Sequence, residues 1–323
     1  MFLRTFLGAA LAALIATAAQ AQQKWNLPAA YPTDNYHSEN LVLFAKDVEA
    51  ATGGKLAITV HANASLFKAP EIKRAVMTGQ TQIGEVLMSL HENEDPLFGV
   101  DVVPFLATSF DASAKLWQAV KPAVEKKLES QGLMVLYSVP WPPQGIYSKK
   151  ELKSTADLKG MKWRAYNAGT SRIAELVGAQ PVTIQAAELA QALATGVVDS
   201  FASSGSTGYD IKAWESLKYF YDTQAWLPRN IIFVNTAAFD GLDKPTQAAL
   251  LKASAEAETR GLKIAVEKSD WYLEQFRAKG MMVSRPSPEL EAGFKKIGEQ
   301  LTADWVKKAG APGQAVIDAY KKM

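Results

Sequence analysis

The sequence predicts an α/β protein of two lobes, joined by crossing strands and braced by one long helix. Three observations predict it. Residues 24–90 and 162–204 each read as strand–helix–strand–helix–strand, the stretch "VPWPPQG" separates the two runs, and residues 245–279 carry a helical pattern too long for one small lobe.

In the first run, Trp25–Ala30 is a short strand followed by the polar loop "YPTDNYHSEN". A helix from Ser38 to Ala51 follows, with Leu41, Leu43, Phe44 and Val48 on a helical period, and Gly53-Gly54 stops it. "KLAITVHA" alternates as a strand; after "NASLFKAPE" a helix runs through Thr78, and "QIGEVLMS" is the next strand. In the second run "KWRAY", "QPVTI" and "VVDSFAS" are strands, "TSRIAELVG" is a helix with Thr170 as N-cap, and "AAELAQALATG" is another. A local echo links the halves: Glu71, Ala75, Thr78 and Gly79 share their spacing with Glu188, Ala192, Thr195 and Gly196, at the same helix-to-strand corner. Both runs follow the grammar of a parallel sheet.

Prolines around Trp141 exclude a helix or a central strand there, so "LYSVPWPPQGIYS" crosses between lobes, and "WLPRNIIFVNTAAF" crosses back. The helix from Pro245 spans about 50 Å and suits a brace. The C-terminal segments "SPELEAGFKKIGEQLTADWVKKAG" and "GQAVIDAYKKM" are amphipathic helices packed on a lobe. The expected lobes are 22–141 with about 230–268, and 142–229 with about 269–323.

Residues 1–21 have one positive charge, Arg4, an apolar run from Phe6 to Ala18 and the small-x-small end Ala19-Gln20-Ala21. That is a secretory leader cut after Ala21, with the apolar run short for a spanning helix. The chain has no cysteine, which excludes disulfides, thiolate metal sites and a thiol nucleophile. Its net charge of +2 offers no broad field for nucleic acid or an anionic membrane. His37, His61 and His91 are dispersed and none shares an HxxxH spacing. No G-x-S-x-G, phosphate loop or G-x-G-x-x-G is present, so neither an enzyme nor a cofactor is indicated.

What remains is recognition. Arg164 stands at the C-terminal end of the strand "KWRAY", just before Asn167, Ala168, Gly169, Thr170 and Ser171, the approach to a helix. Ligands of open α/β sheets bind beyond such strand ends, a guanidinium fork suits a carboxylate, and helix N-termini favour negative charge. The competing reading pairs Arg164 with Asp157, Glu175 or Glu188, and strand alternation leaves the two open, since Lys162, Arg164 and Tyr166 share a face.

"ADLKGMKWRAYNAG", with "ATGGKLAITVHANASLF" and "VVPFLATSFD" before it and "ATGVVDSF" and "IIFVNTAAFDGL" after, resembles the substrate-binding proteins of TRAP transporters, the DctP-type family. The resemblance implies the two-lobed periplasmic-binding-protein fold with the ligand cleft between lobes. It also implies a periplasmic receptor, working as a monomer, that delivers a small organic acid to the small and large membrane subunits. It implies that Arg164 pairs with the ligand carboxylate, that Asn235 in "FVN" lies near the ligand, and that Tyr31, Asn35 and His37 of the first loop line the cleft beside Asn167.

The chain departs from the family pattern. Where many relatives carry Gly and then Glu-Asn, it has Ser200 and then Ala202-Ser203, and the crossing segment holds Trp141 in place of a second arginine. These departures point to one carboxylate on an apolar body, with Phe67, Trp141, Phe201, Ser203 and Tyr209 lining the pocket: a monocarboxylate rather than a dicarboxylate or sialic-acid-like ligand. A receptor for an ABC transporter or a sensor kinase, or a periplasmic enzyme on the same lobes, is the alternative.

Overall fold

A computed structural model describes residues 22–323; the leader expected at 1–21 lies outside the described residues. The chain runs β1 (Gln23–Pro28), α1 (Tyr36–Ala51), β2 (Leu56–His61), α2 (Ala69–Met77), β3 (Ile83–Leu87), α3 (Phe110–Glu129) and β4 (Leu133–Pro140) on one side. It then crosses to β5 (Gln144–Ser148), β6 (Lys162–Ala165), α4 (Ala168–Leu176), β7 (Gln180–Thr183), α5 (Leu189–Ala194), β8 (Ser200–Ser204), α6 (Gly205–Asp210) and β9 (Tyr219–Tyr221). Next come β10 (Arg229–Asn235), α7 (Thr236–Asp240), α8 (Lys244–Ala278), β11 (Met282–Ser284) and α9 (Pro288–Lys321).

Two lobes result; among the described residues the first holds two sheets and the second one. In the first lobe β1 and β2 pair in parallel, and β10 lies between β3 and β4, antiparallel to both. The second lobe holds a sheet in the order β11-β9-β5-β8-β6-β7. Here β6 is parallel to β7 and β8, while β5 is antiparallel to β8 and β9. Strand direction is therefore mixed in both lobes: the first combines a parallel two-stranded sheet with an antiparallel three-stranded one, and the second's six-stranded sheet is itself mixed. In each, a strand bordering the crossing enters against the local direction: β10 returning to the first lobe, β5 arriving in the second.

The crossings lie side by side. Trp141 N–H donates to Pro228 carbonyl at 2.8 Å, Gln144 N–H to Trp226 carbonyl at 2.9 Å, and Ala225 N–H to Gln144 carbonyl at 3.1 Å. Prolines 140, 142, 143 and 228 keep this ribbon out of either sheet's interior. The brace is α8, whose Leu250, Ala253, Ala257 and Ala265 pack in the first lobe and Phe276 in the second. Small residues there let β4 and α1 approach closely: a Cβ at Gly261 would meet Val139 of β4 at 2.6 Å and Asn40 of α1 at 2.9 Å. The C-terminal helix also spans both lobes. Leu290 and Phe294 join the second core, but beyond them Trp305, Val316 and Ile317 join the first, with a break at Gly310. The end of the chain is thus a second brace rather than part of the second lobe alone.

The echo between the halves has a physical basis. Thr78 and Thr195 end α2 and α5, each hydroxyl donating to the carbonyl four residues back (2.9 and 2.8 Å), and Gly79 and Gly196 follow at φ +73° and +69°. Nothing lies within 4 Å of a Cβ at either glycine, so only the left-handed backbone demands them. Gly79→Ala and Gly196→Ala should each cost about 1–2 kcal/mol, read as a lower urea midpoint with an unchanged slope.

Candidate ligand-binding site

The site starts from strand alternation in β6. Trp163 and Ala165 are fully buried in the second lobe's core, which turns Arg164 towards the space between the lobes. Arg164 lies opposite Val182 of β7 and Phe201 of β8. Its Nε donates to the Ile184 carbonyl at 2.9 Å, and its guanidinium sits over the Tyr166 ring at 4.8 Å. Tyr166 is held in turn, its hydroxyl accepting from Trp226 Nε1 at 3.2 Å.

Arg164 is 4% exposed, yet among the described residues no carboxylate pairs with it. The three candidate partners are occupied or outside. Asp157 accepts from the Lys153 and Ser154 amides at 2.8 Å each, Glu175 pairs with Arg172 at 2.8 Å, and Glu188 is exposed. Burial pulls the guanidinium down to about 10, partly offset by Tyr166 and Tyr31, so it is a cation at neutral pH. A buried charge without a partner is costly, which makes the position suited to an arriving anion.

The guanidinium borders a pocket between the lobes whose empty space, about 480 Å³, includes part of the open cleft. Ala30, Tyr31, Ala69, Leu87, Leu90 and Trp141 supply an apolar wall from the first lobe. Gln144, Tyr166, Gln185, Ser203 and Thr207 add polar edges from the second lobe and the crossing. Trp141 Nε1 donates to Asn230 Oδ1 at 2.8 Å, the Tyr31 hydroxyl to the same oxygen at 3.4 Å, and the two rings meet edge-on at 4.7 Å. Asn230 thereby fixes both aromatic walls. Among the described residues that line it, the cavity has one cation and mostly apolar sides.

Of the residues nominated by sequence, Arg164, Trp141, Tyr31 and Ser203 line this cavity. The others are elsewhere, each for a local reason. Asn235 stands at the far end of β10, capping α7 through Ala238 N–H at 3.1 Å and donating to Val76 carbonyl at 3.0 Å; the cleft-side asparagine of that strand is Asn230. Phe201 is two residues inward of Ser203 on β8, fully buried and stacked on Tyr147 at 4.5 Å. Phe67 packs against the first lobe's core, and Tyr209 packs against Trp271 at 4.9 Å. His37 lies behind the wall, its ring 4.2 Å from Trp141 and its Nδ1 3.5 Å from Glu85; burial lowers its proton affinity, opposed by Glu85.

Asn35 and Asn167 are caps. Asn35 accepts from His37 N–H at the start of α1, and Asn167, not Thr170, caps α4 by accepting from Thr170 N–H at 2.8 Å. The start of α4 is also no anion site for a ligand. Gly169 N–H already donates to Glu92 Oε1 at 2.9 Å, a carboxylate from the first lobe. Asn230, Gln144, Gln185 and Thr207 escaped the sequence reading because the strand starts, loop and short helix that carry them have no motif. Tyr166 alone had a signal, sharing a strand face with Arg164 at a spacing of two.

The profile of bacterial extracellular solute-binding proteins, family 7 (DctP), matches residues 29–308. The chain belongs to this family. It is similar to DctP6, a Bordetella pertussis extracytoplasmic solute receptor binding pyroglutamic acid, with 59% identity, TM-score 0.92, and coverage of 93% of this chain and 100% of that one. A TRAP solute-binding protein from an unidentified marine metagenome microbe, specific for pyroglutamate, shares 50% identity with TM-score 0.92 over 94% of this chain and 100% of its own. More distant is the C4-dicarboxylate-binding periplasmic protein DctP of Rhodobacter capsulatus, 25% identical over 85% of this chain and 84% of its own. The protein is therefore a TRAP-type solute receptor of two α/β lobes. No helix among the described residues is long and apolar enough to cross a membrane.

Proposed function

We propose that this receptor binds pyroglutamate in the periplasm and hands it unchanged to the small and large membrane subunits of a TRAP transporter, acting as a monomer after loss of residues 1–21. One observation carries the ligand class: a buried guanidinium with no protein carboxylate, facing an apolar cavity that contains no second cation among its lining residues. Such a site accepts one carboxylate and a compact body of low charge. Pyroglutamate fits: its carboxylate takes the fork of Arg164 in two parallel bonds, and its nearly flat ring lies against Tyr31 and Trp141. The lactam N–H and C=O are left for the polar edge of Gln144, Ser203 and Thr207. The 59% and 50% identical receptors support this choice among monocarboxylates.

The test is a thermal-shift titration. At one hundred times its dissociation constant, a ligand that binds only the folded form adds about 2.7 kcal/mol, a rise of about 5 °C for a chain of this size. Pyroglutamate should produce that rise and succinate none. A rise with succinate or a neutral sugar, and none with pyroglutamate, would overturn the assignment.

A further inference from the structure

Polar contacts also join the two lobes outside the cavity, and they use residues that touch no ligand-facing surface. On one rim, Asn35 at the start of α1 donates through Nδ2 to Asp210 Oδ2 at 2.6 Å and to Ser206 Oγ at 3.2 Å, both on α6 of the second lobe. On the other, Glu92 of the first lobe accepts from Gly169 N–H at 2.9 Å, and Asn167 Nδ2 donates to Ser89 Oγ at 2.9 Å. Asn35, Ser89 and Ser206 are almost completely buried, and Glu92 nearly so. None of these seven residues lines the cavity that holds Arg164. Each contact exists only while the lobes are together, since its partners belong to different lobes.

We infer that these are two closing clasps, Asn35–Asp210/Ser206 and Glu92–Gly169 with Asn167–Ser89, whose residues set affinity by stabilising the closed receptor rather than by contacting the acid. They are positioning residues. A receptor whose binding-competent form is a fraction of the population binds more weakly by that fraction, so a clasp that favours closure raises affinity for whatever the cavity accepts. Fast closure is not enough: a solute enters through the open form and is held by the closed one, so losing a clasp should appear in the dissociation rate.

The clasps also give closure a pH dependence. Asp210 is pushed up to about 7, first by burial, with Asp34 and Glu39 from the α1 side adding to the rise and Asn35 and Lys268 opposing it; Tyr272 of α8 also faces it. Burial likewise raises Glu92, opposed by the Gly169 and Ala168 amides and by Lys308. Opening returns the Asp210 carboxyl to water and to its ordinary range near 3.8. The closed form then holds a proton that the open form lacks between about pH 4 and pH 7. Acidification through that window therefore favours closure, and rising pH through 7 removes the benefit.

The experiment uses the cysteine-free chain with S65C and E188C, exposed positions four residues before Ala69 and two after Ala186, which line the cavity, spin-labelled for distance measurement. Without ligand at pH 6, D210A and E92A should each move the population toward the long, open distance by about tenfold, the size expected for loss of a hydrogen bond between the lobes. The same variants should bind pyroglutamate about tenfold more weakly, with faster dissociation and little change in association. D210N keeps an acceptor for Asn35, so it should restore the closed distance at pH 8 while flattening the gain in affinity that wild type shows from pH 8 to pH 6. Wild-type distances and wild-type dissociation in both alanine variants, with melting temperatures intact, would overturn the clasps. The affinity arm rests on the pyroglutamate reading; the ligand-free distance arm does not. A failure of pyroglutamate to bind wild type would therefore leave the distances to decide alone.

Discussion

Arg164→Ala should weaken pyroglutamate binding by about 2–5 kcal/mol, roughly thirty- to several-thousand-fold, the range for removing one partner of a desolvated charge pair. The size follows from the surroundings of the guanidinium. It is 4% exposed, and among the described residues only its Nε finds an acceptor, the Ile184 carbonyl. The ligand carboxylate would supply both its missing charge and its missing acceptors. The same facts set the companion result: losing an unpaired buried charge should leave the ligand-free melting temperature within a few degrees of wild type. Arg164→Lys should fall between, because an ammonium keeps the charge but not the fork. Titration calorimetry and ligand-free melting curves check all three.

Dicarboxylates should bind at least about a thousandfold more weakly than pyroglutamate. Glutarate has the same number of backbone carbons, but a second carboxylate replaces the lactam. Placing its first carboxylate on Arg164 sends the second into a cavity walled by Leu87, Leu90, Tyr31 and Trp141, where the polar edge of Gln144, Tyr166, Gln185, Ser203 and Thr207 is neutral. A buried charge met by neutral groups alone costs several kcal/mol, and sites built for a different hydrogen-bonding end discriminate by about 10⁴–10⁵. Competition calorimetry measures the ratio. A ratio near one would mean that a second cation reaches the ligand.

Much of the fold was legible because its signals are local. The alternation in "KLAITVHA", the helical period of residues 41–48, the Thr-Gly corners and the proline-bounded crossings each act within a few residues of chain. Strand direction was not local. Nothing near β3 announces that β10, far along the chain, will lie antiparallel beside it, so the parallel reading of the first run covered only β1 and β2. The C-terminal helix shows the same limit. Its amphipathic pattern says that it packs, but not that Trp305 and Ile317 return to the first lobe.

The site divides in the same way. Arg164 was nominated by the resemblance, since its strand alone left a ligand and a protein carboxylate equally open, and the fold puts it at the cavity edge. Asn35 and Asn167 were recognised as polar groups at the cleft edge, but a side chain that caps a helix, bridges two lobes or meets a solute looks the same in sequence. The exchange of Asn235 for Asn230 has a geometric origin: the two stand at opposite ends of one strand, and only the crossing at Pro228 decides which end faces the cleft. Fully buried Phe201 was misplaced by one pleat repeat, the distance along β8 from the crevice to the core.

The most direct test is a crystal structure of the protein grown with pyroglutamate. The ligand carboxylate is expected to lie in the plane of the Arg164 guanidinium, with two oxygen-to-nitrogen distances of about 2.8 Å and the ring against Tyr31 and Trp141. A carboxylate bound away from Arg164, or an Arg164 side chain turned to solvent while the acid occupies the cleft, would contradict the account.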